Sequence, residues 1–205
     1  MDCTNTTSPP NNHKARRAGM SLVEMLVAIG ISGIVFVAVG TMVFFSGRSY
    51  AALANYVDLD NKSRKALDQM SKEIRQVDGV TGMGTATLPS GKVVTNQIAV
   101  AGKEADGTPY TITYNYSPNA ANKPLTRTKA GGLYAGTTTL LTGCTYLNFG
   151  LFTRVPQDGN LDNFAASDLA TCKVVQLEWI CSRGIFNKSD NTESVQSAKV
   201  VIRKK

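Results

Sequence analysis

The strongest pattern in the chain is an apolar run near its amino terminus that contains neither a charged residue nor a proline. The run extends from Met25 to Gly47 and comprises 23 residues. As an α-helix it would be about 35 Å long, more than the roughly 30 Å of a bilayer's hydrocarbon core. The pattern therefore predicts a helix that spans a membrane.

After Arg48 the apolar positions no longer form a continuous run but recur with helical spacing. Charged residues separate these positions, which lie on one face of a helix: Leu67, Met70, Ile74 and Val77. Gly79 follows as a helix stop. We therefore expect one helix over about residues 21–78, whose second half packs one face against a folded domain.

From about residue 92 the pattern changes to the period of two that is typical of β-strands. Turn sequences separate six candidate strands: 93–101, 109–117, 124–129, 138–153, 173–182 and 196–203. The glycine-rich residues 79–85 are expected to form a loop. A long helix followed by strands, without alternation of the two, predicts an α+β fold with an antiparallel sheet laid on the helix.

Glu24 places an acid inside the apolar sequence at the start of the predicted helix. A charged group at the centre of a bilayer costs about 2.5–3.5 kcal/mol, so acids in membrane segments are usually paired. The apolar run holds no cation, but a cut between Gly19 and Met20 would create an α-amino group one helical turn away. At ~4 Å and an effective dielectric constant near 20, such a pair gains about 4 kcal/mol of Coulomb energy before desolvation.

Residues 19–28, with the sequence Gly-Met-Ser-Leu-Val-Glu-Met-Leu-Val-Ala, resemble the amino-terminal signature of type IV prepilins and pseudopilins. The resemblance implies that a prepilin peptidase cuts after Gly19 and methylates the new amino group of Met20. It also implies that Glu24 serves subunit assembly. Cleavage itself is expected to depend on the glycine and the flanking chain rather than on Glu24.

The same resemblance implies a pilin-like division of the chain. Residues 1–19 would be a cleaved basic leader, 20–47 a transmembrane half of the helix, 48–78 its amphipathic half, and 79–205 a β-rich extracytoplasmic domain. The basic residues of the leader place it in the cytoplasm and the bulk of the chain in the periplasm. Expected partners are the peptidase, other pilin or pseudopilin subunits, the inner-membrane assembly platform and membrane lipid.

Two features bear on the subtype within this family. Thr41 occupies the place where many major pilins carry a helix-kinking proline, which favours a minor subunit. The pattern over residues 114–149, together with the strand at 174–178, is similar to the larger minor pseudopilins of type II secretion, the J-type. Ordinary alternatives for the amino terminus are a one-pass anchor whose glutamate reaches the interface, and an export signal.

The chain shows no pattern typical of an enzyme. Its single histidine, His13, lies in the leader, so the processed chain lacks Ser-His and Cys-His nucleophile pairs and histidine-based zinc sites. No cofactor is expected. The sequence therefore predicts a non-catalytic protein.

A partial calcium motif occurs in the second half of the chain. Asp158, Asn160 and Asp162 match the opening D-x-N-x-D of a calcium loop. The glycine expected at the sixth loop position is Asn163, and the glutamate expected at the twelfth is Leu169. We interpret the segment as a polar surface turn, with calcium binding as the weaker alternative.

Three cysteines remain after the leader is removed: Cys144, Cys172 and Cys181. If residues 173–181 form one strand, Cys172 and Cys181 lie about 30 Å apart, whereas bridged Cα atoms lie within about 7 Å. Any disulfide must then include Cys144. Pairing with Cys181 requires antiparallel strands and a bulge, because alternation places Cys144 on the face opposite Leu147. Three free buried thiols are the alternative.

The sequence predicts a structural subunit of a type IV pilus-like or type II secretion filament, and Thr41 favours a minor subunit. One alternative is a monomeric, membrane-anchored binding or adhesion protein. Another is a DNA-uptake pilin, which rests only on the formal net charge of +7. Nucleic acid is not the expected partner, because outside the leader the only dense basic run is residues 203–205.

Overall fold

The structure is a computed structural model, and it describes residues 19–153, 164–184 and 193–203. One long helix, α1, covers Leu22–Gln76. The chain divides after Gly47 into two compact units. The first part of α1 belongs to the amino-terminal unit, and the remainder of α1 belongs to the carboxyl-terminal unit.

In the amino-terminal unit α1 is apolar on all sides. Every side chain from Leu22 to Phe45 is exposed, including the large apolar ones. By length and composition the helix can cross a membrane. A helix that is hydrophobic all round needs apolar surroundings, such as lipid or neighbouring helices.

The carboxyl-terminal unit contains eight antiparallel strands among its described residues, arranged in two sheets. The first sheet has its strands in chain order: β1 Gly79–Thr87, β2 Val93–Lys103, β3 Pro109–Tyr116, β4 Leu125–Ala130 and β5 Gly136–Leu141. The second sheet contains β6 Cys144–Phe152, β7 Val174–Ser182 and β8 Glu193–Val201. A short 3-10 helix covers Leu169–Thr171. The predicted α+β fold is confirmed, with two antiparallel sheets.

The core of this unit forms where the amphipathic part of α1 meets alternate side chains of both sheets. Met70 and Ile74 of α1 are fully buried, as the helical spacing predicts. β3 contributes its tyrosines and Ile112, and β7 contributes Leu177 and Trp179. Each fully buried side chain of this size stabilises the fold by about 1.5–3 kcal/mol, so this interface fixes α1 against the sheets.

The loop prediction for residues 79–85 was wrong, because this segment is most of strand β1. It pairs with β2 in an antiparallel register that has two irregularities. A Cβ at Gly82 would lie 3.5 Å from the side chain of Ala99, and one at Gly84 would lie 3.1 Å from that of Gln97. Gly84 therefore allows a close approach of the Gln97 side chain, whereas the contact at Gly82 is an ordinary one. Local turn propensity does not anticipate this strand pairing.

The prediction of a single strand over residues 138–153 was also wrong. The segment is two strands, β5 and β6, which belong to different sheets. Gly143 separates them with a φ of +75°, and a Cβ there would lie 2.7 Å from the carbonyl oxygen of Ser182. Since only glycine fits this left-handed and crowded position, Gly143 is where the chain leaves the first sheet for the second.

Candidate processing and assembly site

The residues around the predicted cut lie immediately before α1. Gly19, Met20 and Ser21 are exposed and non-helical, and the helix begins at Leu22. The amide of Met25 donates to the carbonyl oxygen of Ser21 at 3.2 Å. Ser21 therefore accepts the first hydrogen bond of the helix, which defines it as the N-cap residue.

Ser21 and Glu24 are joined by two reciprocal hydrogen bonds. The amide of Glu24 donates to Ser21 Oγ at 3.2 Å, and the amide of Ser21 donates to Glu24 Oε2 at 2.9 Å. This is a capping box, which satisfies two amides that the start of a helix leaves without partners. Ser21 was not predicted as a site residue, although the Ser-x-x-Glu spacing is the sequence signature of a capping box.

The predicted scissile bond between Gly19 and Met20 is outside this cap. A Cβ built on Gly19 meets no atom of the described residues within 4 Å. Among the residues that the structure describes, no cation lies within ion-pair distance of Glu24. The geometry thus combines an exposed, non-helical segment with a carboxylate held at the first turn of an apolar helix.

A second charged cluster lies in the carboxyl-terminal unit, beside a cavity of about 300 Å³. Glu73 of α1 accepts hydrogen bonds from Arg127 Nε at 2.9 Å, from Gln69 Nε2 at 3.1 Å and from the hydroxyl of Tyr114. Burial and the charge of Glu73 raise the pKa of Tyr114 well above its ordinary value, so the hydroxyl stays a donor. The cluster ties α1 to β3 and β4.

Glu73→Ala is expected to lower the free energy of unfolding by about 3 kcal/mol, because it leaves Arg127 and Tyr114 without their acceptor. The ion-paired side chains are only 18% and 12% exposed. Urea titration of the mature chain in detergent, followed by fluorescence of the single, buried tryptophan Trp179, measures this change.

Arg64→Ala is the matched control for that measurement. It breaks an ion pair with Asp60 on the same helix, but the Arg64 side chain is 70% exposed. Exposed pairs contribute about 0–1 kcal/mol. A loss of stability in Glu73→Ala no larger than that in Arg64→Ala would contradict a structural role for the Glu73 cluster.

All three cysteines of the described residues are buried, two of them in the second sheet and Cys172 at the end of the short 3-10 helix. Cys144 of β6 lies opposite Cys181 of β7, and a register shift falls between Cys144 and Tyr146. The two Sγ atoms are 2.8 Å apart, and contact with Cys181 together with burial raises the pKa of the Cys144 thiol. The bulge that the pairing requires is therefore present. Cys172 is buried elsewhere and its thiol donates to the carbonyl oxygen of Val174 at 3.6 Å.

The calcium candidates Asp158, Asn160 and Asp162 lie outside the described residues. Within the described ranges, no group of three or more His, Cys, Asp or Glu side chains is placed to hold a metal ion. Within the part of the chain that the structure describes, the first turn of α1 coincides with the predicted processing motif.

Comparison with known protein families gives a match at the amino-terminal segment that contains the predicted cut and Glu24. Residues 14–40 match the prokaryotic N-terminal methylation motif. No curated protein and no solved structure matches the chain. The motif and the long apolar helix fit a type IV pilin or pseudopilin anchored in a membrane, a structural subunit rather than an enzyme. The match does not extend to the features that suggested the J-type.

Proposed function

We propose that this chain is the precursor of a minor, non-catalytic subunit of a type IV pilus-like or type II secretion filament. The observation that carries the proposal is the methylation motif at residues 14–40 on a helix that is apolar on all sides. A leader peptidase removes residues 1–19 and methylates Met20. The mature chain then assembles with other subunits.

The charge distribution supports a defined orientation in the inner membrane. Lys14, Arg16 and Arg17 precede the apolar run, and positive residues are retained on the cytoplasmic side of a membrane helix. The carboxyl-terminal unit then lies in the periplasm before assembly. During assembly, on this proposal, the assembly platform moves the helix from the lipid of the inner membrane into the core of the filament.

Glu24 sets the axial position of one subunit against the next. Packing of apolar helices buries the exposed side chains of α1's first part and desolvates the carboxylate of Glu24. A desolvated carboxylate is unfavourable unless a cation compensates it. The methylated amino group of Met20 in the preceding subunit retains its positive charge and supplies that cation.

Processing tests the proposal directly. The mature protein extracted from membranes is expected to begin at Met20 and to carry one added methyl group, as measured by intact mass and terminal sequencing. Gly19→Val should abolish the cut, because the prepilin motif that the segment resembles carries glycine directly before the scissile bond and valine adds a β-branched side chain there. A stable wild-type chain that still begins at Met1 would contradict the proposed function.

A further inference from the structure

We propose that the outer edge of β5, together with the groove between β5 and α1, binds an extended acidic segment of another polypeptide. The segment adds a strand to the first sheet, so that main-chain hydrogen bonds hold it and its acidic side chains meet cations of the groove. The inference goes beyond the proposed function, because it concerns a surface of the carboxyl-terminal unit that the methylation motif does not include.

β5 is an edge strand of the first sheet. It pairs with β4 on one side, and no strand of the described residues pairs with its other side. From Gly136 to Thr139 it is exposed and has no charged residue, no proline and no bulge. The register shift in its pairing with β4 lies beyond this stretch, between Thr139 and Leu141. The unpaired N–H and C=O groups along such an edge are a template for another strand.

The other three sheet edges are protected in ways that β5 is not. β1 has two register irregularities and contacts the short 3-10 helix. β6 packs against β2, and its Phe152 forms a bridge with Ala165. β8 carries the charges of Glu193 and Lys199. Irregular pairing, cover and charge are the devices that keep edge strands from pairing further, so β5 is the edge of the described chain that is suited to accept a strand.

A groove of about 550 Å³ lies between β5 and α1. It is lined by Leu59, Lys62, Lys65 and Ala66 of α1, by residues 139–142 and by Arg183. Leu59 and Ala66 are buried and Leu140 is half-buried, so the floor of the groove is apolar. The volume lies within the ~300–1,000 Å³ of typical binding pockets. Because side chains alternate along a strand, every second side chain of a strand added to β5 would point into this groove.

The groove is positively charged. Lys62, Lys65 and Arg183 line it, and no acidic side chain of the described residues does. Asp58, beside the groove, is within 2.9 Å of Lys62 and 2.5 Å of Arg183, so one carboxylate is shared between two cations. An adjoining cavity of about 450 Å³ adds Lys123. The cations therefore outnumber the carboxylate, which favours an acidic occupant.

The same charge argues against a second copy of this chain as the occupant. Pairing of two β5 strands would bring the cations of the two grooves together, and like charges across an interface are strongly unfavourable. Residues 136–141 contain no acid that could compensate these cations. A different chain, with glutamate or aspartate at alternate positions of an extended segment, meets both the open edge and the charge.

Three synthetic peptides with the same fluorescent label separate strand addition from charge attraction. The acidic probe is Thr-Glu-Thr-Val-Thr-Glu-Thr, which as a strand places both glutamates and the valine on one face. The basic control has lysine in place of both glutamates. The proline control has proline in place of the two threonines beside the valine, so it keeps the acidic charge but loses the main-chain donors that strand pairing needs.

Binding is measured by fluorescence anisotropy with the full chain in non-ionic detergent. The acidic probe is expected to bind at least about tenfold more tightly than either control, since the basic peptide meets like charges and the proline peptide cannot pair along the edge. Lys65→Glu should weaken binding of the acidic probe about tenfold and strengthen binding of the basic peptide. A merely structural defect would not produce this exchange of preference.

Lys103→Glu is the matched control variant. It makes the same change of net charge at an exposed position outside the groove, so the acidic probe should bind within about twofold of its affinity for the wild type. If Lys103→Glu weakens binding as much as Lys65→Glu does, the attraction is general and the groove is not the site.

The remaining outcomes are also decisive. Equal binding of the acidic and proline peptides would show attraction without strand addition and would overturn the inference, as would no detectable binding of the acidic probe. Equal binding of the acidic and basic peptides would show an edge that accepts any strand, a second copy included, and would rule out the acidic partner. None of these measurements depends on cleavage after Gly19, so failure of the proposed function would leave them unchanged.

Discussion

The Glu24→Ala variant is expected to be recovered in filaments at least about tenfold less than the wild type, a factor that corresponds to ~1.4 kcal/mol per subunit contact. Its insertion into the membrane should remain intact or improve, because an acid in the bilayer costs about 2.5–3.5 kcal/mol. The loss in assembly has a different cause. The amino group of the neighbouring Met20 is left without its counterion in a medium of low dielectric constant.

Glu24→Gln separates charge from both shape and capping. Glutamine has nearly the same shape as glutamate and preserves the acceptor of the capping box, but it cannot neutralise an amino group. We therefore expect this variant to be cleaved normally and still to be excluded from filaments. Equal loss of filament incorporation in the Ala and Gln variants identifies the charge as the property that assembly requires.

The measurement is the distribution of mature protein between sheared filaments and membranes, with wild type and both variants matched for expression. Cleavage of both variants is expected to persist, and only cleaved protein is compared, so that a difference in processing does not count as an assembly defect. If both variants enter filaments as well as the wild type does, the pairing mechanism is wrong. Absence of the wild-type chain itself from filaments would instead favour a monomeric, membrane-anchored binding protein.

We also expect a disulfide between Cys144 and Cys181, with a large effect on the free energy of unfolding. The two residues lie opposite each other in neighbouring strands, and their Sγ atoms are already within 2.8 Å. The extracytoplasmic location that we propose is oxidising, which favours disulfide formation. Closing a loop of this length stabilises a fold by about 3–4 kcal/mol in the chain-entropy treatment, so reduction should lower the free energy of unfolding by that amount.

Thiol alkylation of the mature chain in denaturant tests the disulfide. Without reductant one thiol, that of Cys172, should react, and after reduction all three should react. Cys172→Ala is the matched control, because it removes a buried thiol but should leave the effect of reduction on stability unchanged. Three reactive thiols in the unreduced sample would show that the cysteines are free.

The sequence was most informative where one local pattern decides the structure. The helical spacing of Met70 and Ile74 and the alternation around Trp179 identified buried faces, since period alone distinguishes a half-buried helix from a half-buried strand. The capping box was also within reach, because its two residues are three positions apart. It was not predicted, because the interpretation of Glu24 rested on its charge alone.

The errors arose where the structure depends on distant parts of the chain. The glycines of β1 suggest a loop locally, and only their pairing with β2 makes the segment a strand. Gly143 similarly shows its role only next to the carbonyl of Ser182, which lies 39 positions later in the sequence. The sequence predicted that the pairing of Cys144 with Cys181 requires a bulge. The position of that bulge, between Cys144 and Tyr146, depends on the register with β7 and is given only by the structure.

The most direct test of the central claim is mass spectrometry of the amino-terminal peptide from sheared filaments. The full chain would be expressed in cells together with a prepilin peptidase and an assembly platform. Filaments would be sheared from these cells and purified away from membranes. Our account predicts that the filament fraction contains this chain, that its first residue is Met20, and that the amino group of Met20 is methylated. Recovery of the chain only in membranes, or with residues 1–19 still attached, would contradict it.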